Sequence, residues 1–353
     1  MPDVQSIAEV VQGNCHLSDA RHARDYTLCV YLLKMREYYR WEKGLPLGGP
    51  LPTSDLGEWV VARERLWESL TAEESGEGFQ CLPVDSGCRD PFDAEGINEE
   101  LVPRGLVYSS GYGRFVKPHF FLADLHSEEV RDGFRVLISD REHARDLSAP
   151  PAMLRGDTIY VRRESLRRLL WERVEEWRWR RSPLDAMGRA VAGYPFERDP
   201  EEALDRMTDA ELEPTVLHEL GEGRAGRVLG ERWTEMVLGL ARTRAEMPLR
   251  AVRDLVADCL VTLPGLIARG AEPSIHFFFA NLRGHRQALF TRLTDAYRTW
   301  VGAGDPQPLA AAVDLGRSHW LETAEEALAR YAHAGADTAP DALADYLEGR
   351  ALG

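Results

Sequence analysis

The sequence predicts an α+β protein, mostly helical, with a small, mainly antiparallel sheet in the middle of the chain. Three observations predict it. Apolar residues recur at spacings of three and four over residues 1–75 and again over 161–353. Short β-branched and aromatic runs, separated by turn signals, fill the second half of residues 76–160. Between these patterns lies a stretch with no sustained period. The chain of 353 residues therefore reads as three regions: helical 1–75, loop-rich and β 76–160, helical 161–353.

In order, Ser18 suits the N-cap of a helix running to about Trp41 and stopped by "EKGLPLGGPLP", and Ser54 caps a second helix, "DLGEWVVARERLWESL". The segment "CLPVDSGCRDPFDAEGINEELVPRG" reads as a long loop. The runs "LVYSS", "RFVKPHFFLADL", "GFRVLISD" and "TIYVR" read as strands, with turns at Asp132-Gly133 and Gly156-Asp157. Pro118 fits an edge strand or a bulge, because it offers no N–H to a ladder. In the last region "RRESLRRLLWERVEEWRWRR" sets Leu166, Leu170, Val174 and Trp177 at helical spacing. Pro214 opens another helix, Pro248 separates two, Pro273-Ser274 opens a long one reaching Trp300, and a helical hairpin follows Pro306.

Composition excludes several classes. The net charge of −15 repels a phosphate backbone and argues against general nucleic-acid binding. No apolar run approaches the ~20 residues of a membrane span, and the N-terminus lacks the basic start and apolar centre of a signal peptide. The five cysteines are odd in number and form no CxxC, which predicts free thiols and a cytoplasmic protein. Only Lys34, Lys43 and Lys117 are lysines against 40 arginines, a bias read as that of a GC-rich bacterial genome.

Two constellations carry candidate chemistry. On a continuous first helix, His22, Cys29, Arg36 and Arg40 share a stripe with Glu37 beside it, and the helix is apolar nearly all round between Tyr26 and Met35. A buried stripe of this kind is either a paired structural network or a pocket; as a pocket, His22 supplies acid–base chemistry and Arg36, Glu37 and Arg40 bind a small anionic ligand. The second is "HELGE". His218, Glu219 and Glu222 follow the spacing of the zincin HExxH motif but carry Glu where the second His belongs. Glu219 then stands as general base, and His218, Glu222, Asp258 and His276 as ligands to a divalent metal such as zinc, iron or manganese. A solvated polar helix face is the competing explanation. His285 falls on an apolar face and reads as a core histidine. The basic helix at 162–181 holds eight Arg and four Glu with interleaved Trp, and the acidic stretch "FERDPEEALDRMTDAELE" is its expected cover.

The segment "CHLSDARHARDYTLCVYLLKMREYYRWE" resembles the start of a family of uncharacterised bacterial proteins of unknown function. The resemblance implies no activity and no site. The residues themselves predict a metal-assisted or acid–base enzyme acting on a small anionic substrate, with a site where the first helix, the loops of 81–119 and the helix at 215–222 meet. The alternative is a non-catalytic protein-binding module using the loop-rich region or the Arg/Trp helix.

Overall fold

A computed structural model describes residues 3–72, 78–113, 116–180, 182, 184–334 and 338–353. The chain divides into two compact units, residues 1–173 with 196–208, and residues 174–195 with 209–353.

The first unit opens with helix α1 (Val4–His22), capped by Asp3, whose side chain accepts the Ser6 N–H at 2.7 Å. A 3₁₀ turn (Ala23–Asp25) and an extended Tyr26–Thr27 pair then interrupt the chain before α2 (Leu28–Lys43). The single helix expected from Ser18 to Trp41 is therefore two helices. Ser18 is buried within α1 and donates to the Pro118 carbonyl at 2.5 Å instead of capping. The break also overturns the expected burial of residues 26–35. Past the corner, α2 packs one face against α3 (Thr53–Ala72) through Met35, Tyr38 and Trp67, while Leu28 stays 70% and Leu33 53% exposed.

The middle of the chain forms two sheets. Strands β1 (Leu82–Val84) and β2 (Gly87–Arg89) make a hairpin, followed by α4 (Ala94–Leu101), whose N-cap Asp93 accepts the Gly96 N–H. Cys81 and Cys88 are joined by a disulfide across this hairpin, with Cα atoms 5.5 Å apart. The expectation of five free thiols is corrected: Cys15, Cys29 and Cys259 are free. With it goes the premise for a reducing compartment, because an odd total leaves room for one bridge.

The larger sheet holds β3 (Leu106–Tyr112), β4 (Pro118–Arg131), β5 (Phe134–Arg145), β6 (Ala152–Arg155) and β7 (Thr158–Arg162) in the order β3-β4-β5-β7-β6. Every pairing is antiparallel except β5 with β7. Alternation along β4 sends Phe120 and Leu122 to a core shared with Ile7, Val11 and Cys15 of α1, and Phe121 and Ala123 to a core with Val107, Leu137 and Tyr160. Pro118 lies on neither an edge strand nor a bulge. It is the first residue of β4, opposite Tyr112 and before the ladder to β5 begins at Phe121, so no N–H is missed there.

Helix α5 (Arg163–Arg180) begins in the first unit. The second contains α6 (Ala186–Ala192) and most of α7 (Pro200–Leu229). Pro214 does not open α7 but sits inside it, and the Thr215 hydroxyl donates to the Glu211 carbonyl at 2.7 Å beside the interrupted ladder. Helices α8 (Glu231–Gly239) and α9 (Glu246–Ala257) follow, α9 running into a π-helical turn (Asp258–Thr262) and α10 (Leu263–Ala268). The single helix expected from Pro273 to Trp300 is three: α11 (Glu272–Asn281), α12 (Gly284–Leu289) and α13 (Thr291–Ala303), broken where Leu282 turns extended and Phe290 leaves the helical region. The break rotates His285 off the apolar face and leaves it exposed, not in the core. Helices α14 (Gln307–His333) and α15 (Ala339–Glu348) close the chain as a packed pair. Among the described residues, no helix is long and apolar enough to cross a membrane.

Candidate functional site

A cavity of about 700 Å³ opens in the first unit, walled by the α1–α2 corner, the start of β4 and the segment between β5 and β6. Its floor is built by chain reversals that place charged groups against one another. After β5, Asp146 caps a turn: its Oδ1 accepts the N–H groups of Ser148 at 2.7 Å and Ala149 at 3.0 Å. Its Oδ2 lies 3.0 Å from Nδ1 of His119, one residue past the start of β4. Asp19, fully buried on α1, accepts Lys117 Nζ at 2.6 Å on one oxygen and the Leu147 N–H at 2.8 Å on the other. Lys117 Nζ also donates to Ser148 Oγ at 3.2 Å, and Ser148 Oγ pairs with the Tyr26 hydroxyl.

Two of these residues are held beside strained backbone. Val116, next to Lys117, has φ 60°, and Ala149, next to Ser148, has φ 39°. Such values cost ~1–3 kcal/mol each for residues with a Cβ, and such strain tends to cluster at functional sites. Gly113 is required for another reason: a Cβ there would come within 2.2 Å of His119 Nε2.

The electrostatics divide the cavity's cations by role. Burial alone would raise the Asp146 carboxyl, but the His119 ring and the Lys117 ammonium hold it well below the carboxylate range. Burial alone would lower Lys117, but the Asp19 and Asp146 carboxylates raise it, so it stays a fixed cation. Lys34, on α2, lines the same cavity and is pushed down to about 8 by burial and the Arg168 charge. Arg155, on β6, spends its donors on the carbonyls of Ser110 and Phe92 and on Ser110 Oγ, and brings its charge to the wall without a carboxylate. Among the described residues, the lining contains Lys34, Lys117, His119 and Arg155, and no Asp or Glu.

The residues singled out from sequence sit elsewhere. His22 pairs with Asp25 at 3.0 Å at the end of α1, apart from Arg36 and Arg40. Arg36 donates to Glu37 at 2.7 Å, Arg40 donates to the Pro46 carbonyl at 2.7 Å, and Glu37 is buried between them. Glu37 and Arg40 line a small space of about 210 Å³ with Arg145, Glu164 and Arg168, while Arg36 does not. The stripe has thus become a paired network. A larger depression of about 760 Å³, lined by Arg24, Tyr31, Glu64, Trp67 and Glu68, mixes both signs of charge and gathers no comparable group.

In the second unit the structure brings His218, Glu219, Glu222 and Asp258 together and leaves His276 out. His218 Nε2 lies 3.4 Å from Glu222, Glu222 is 3.2 Å from Arg253, and Asp258 is 2.5 Å from Arg286. Glu219 is buried beside them, its carboxyl raised to about 7 by burial and the Glu222 charge. Burial opposes charge on His218, yet the Glu222 bond and the Asp258 carboxylate raise it to about 9. His276 bonds the Tyr297 hydroxyl at 2.9 Å and lies 3.6 Å from Glu272. Guanidinium groups occupy the carboxylates proposed as ligands, and no group of three or more His, Cys, Asp or Glu among the described residues is placed to hold a metal ion. Gly221 lets α7 lie directly on α9, since a Cβ there would meet the Ala257 carbonyl at 2.8 Å. On α5, Arg167 pairs with Glu201 at 2.5 Å and Asp205 at 2.6 Å, carboxylates of the acidic stretch expected to cover that helix. Arg114 and Phe115 lie outside the described residues.

Lys117, His119, Asp146, Ser148 and Arg155 are not among the residues that the sequence patterns single out. One signal pointed at Lys117. In a chain with only three lysines, two line this cavity, and a compact ammonium on a flexible stem is not interchangeable with a guanidinium.

Fold and cavity define a mostly helical α+β protein whose first unit encloses a basic cavity backed by buried carboxylates. The chain belongs to a family of unknown function, DUF6866: residues 6–162 match its N-terminal domain and 167–350 its C-terminal domain. Comparison with curated proteins and with solved structures gives no match.

Proposed function

We propose that this cavity is the active site of an acid–base enzyme acting on a small anionic substrate. The observation that carries the reading is the sign of the wall: in a chain of net charge −15, the described lining holds four basic side chains and no carboxylate. Its volume of about 700 Å³ suits a small molecule. Asp146 takes the Nδ1 side of His119, which fixes the tautomer and leaves Nε2 to accept or return a proton. Arg155 and Lys117 supply charge for the anion, and Lys34 adds its own while protonated. Lys117, tied to Asp19, orients Ser148 and adds a fixed cation.

Proton transfer gives the test. A panel of small carboxylic and phosphorylated acids in D₂O is followed by NMR for exchange at C–H positions next to the acid or carbonyl group. At least one member should exchange with the parent, and His119→Asn should slow it by roughly 100-fold or more. Exchange that is no faster than buffer for every member, or equal in His119→Asn, overturns the reading. The non-catalytic alternative has one observation in its favour, Trp179 on the Arg/Trp helix, which is 88% exposed. It gives no account of the cavity.

A further inference from the structure

Lys34 and Lys117 share the cavity, yet their surroundings differ. Lys117 is pinned between carboxylates, 2.6 Å from Asp19 and 3.9 Å from Asp146. Among the described residues Lys34 has no hydrogen-bond or ion-pair partner; its ammonium lies 5.5 Å from the centre of the Tyr26 ring, which Lys117 also approaches, at 5.9 Å. Tyr26 in turn holds Ser148. The cavity thus presents one amine locked as a cation and another free to lose its proton, with an imidazole and the hydroxyl groups of Tyr26, Ser110, Tyr112 and Ser148 on the same walls. Environments that push two like groups apart mark out separate roles.

Resting on the active-site reading above, we propose that Lys34 is a nucleophile that forms an imine with a small carbonyl compound bearing an anionic group, an oxo acid or a phosphorylated aldehyde. The neutral amine's lone pair attacks the carbonyl carbon as the C=O π pair moves to oxygen, and the oxygen takes a proton to give a carbinolamine. Loss of that hydroxyl as water, with the one proton left on the nitrogen, gives the C=N bond, so amine and carbonyl become imine and one water with no oxidant or reductant. The protonated imine draws on the electrons of an adjacent C–H bond, and His119 is the group on the wall able to take that proton. The anionic group of the substrate is met by Arg155 and Lys117.

A neutral Lys34 is accessible near neutral pH because burial and the Arg168 and Lys117 cations outweigh the Glu172 and Asp146 carboxylates that favour its charge. A desolvated lysine beside a second cation is a recognised way to make an amine nucleophilic.

The test uses the full chain with glyoxylate, pyruvate and glyceraldehyde 3-phosphate in turn. Each mixture is reduced with borohydride, and the adducts are mapped by peptide mass spectrometry. At low probe concentration the adduct should fall on Lys34 at least tenfold in excess over Lys43 and Lys117, and should rise as pH climbs through about 8. Adducts spread evenly over the three lysines, or none on Lys34, overturn the proposal. Calorimetric binding of the same three compounds, with Lys34→Arg as the charge-keeping variant, separates the two readings. If the parent binds a probe and Lys34 is not trapped, the imine fails and the anion site stands. If the parent binds none, both fail.

Discussion

Lys34 and Glu219 are single residues whose pKa the fold shifts in opposite directions, each towards its neutral form, and each has a measurable consequence. Burial and the Arg168 charge push Lys34 down to about 8; burial and the Glu222 charge push Glu219 up to about 7. For Glu219 the sign is fixed. A carboxyl raised from 4.5 to about 7 on folding stabilises the fold while protonated, and that contribution is lost as pH rises from its unfolded value through about 7. The shift corresponds to about 3 kcal/mol at most. His218, raised to about 9, acts in the same sense at higher pH, with its effect screened because its side chain is 37% exposed. Glu219→Gln should therefore raise stability at pH 8 relative to the parent, by about 1–3 kcal/mol, and leave it nearly unchanged at pH 5. Urea unfolding at both pH values checks this; a variant less stable than the parent at pH 8 would mean that the anion is satisfied where it lies.

Among the elements, the hairpin and the helix breaks show how much was legible beforehand. Helical and strand regions follow from apolar spacing, because a helix or a sheet must bury one face whatever it packs on. Breaks at residues 23–27, 282 and 290 were not legible, since a few extended or 3₁₀ residues barely disturb a 3.6-residue pattern and contain no proline to announce them. Their cost to the reading was large. The stripe joining His22 to Arg36 and Arg40 exists only on an unbroken helix. The cavity was hidden for a related reason: Asp19 comes from α1, Lys34 from α2, Lys117 from just before β4, His119 from β4, Asp146 from just after β5 and Arg155 from β6. Sheet pairing assembles these, so no local motif spells them out. The Cys81–Cys88 bridge was likewise masked by an odd cysteine count. Titration of the denatured, unreduced protein should find three thiols, Cys15, Cys29 and Cys259. Five would show that the hairpin stands without its bridge, which for so short a loop contributes roughly 2 kcal/mol.

For the whole molecule the central fact is a basic pocket in an acidic chain. A net charge of −15 repels small anions at long range, and physiological salt screens that repulsion beyond about 8 Å. The proposed anion binding must therefore come from the cavity's own cations at close range. Lys34 is the one to remove, because among the described residues it pairs with no carboxylate and its loss leaves no buried charge stranded, whereas removing Lys117 would strand Asp19. The most direct measurement is a calorimetric titration of parent and Lys34→Met with a panel of small oxo acids and phosphorylated aldehydes, both proteins shown to be equally folded by circular dichroism. The parent should bind at least one member, and Lys34→Met should bind it at least tenfold more weakly, a difference of about 1.4 kcal/mol. A parent that binds no member of the panel, or a variant that binds as tightly as the parent, would contradict this expectation.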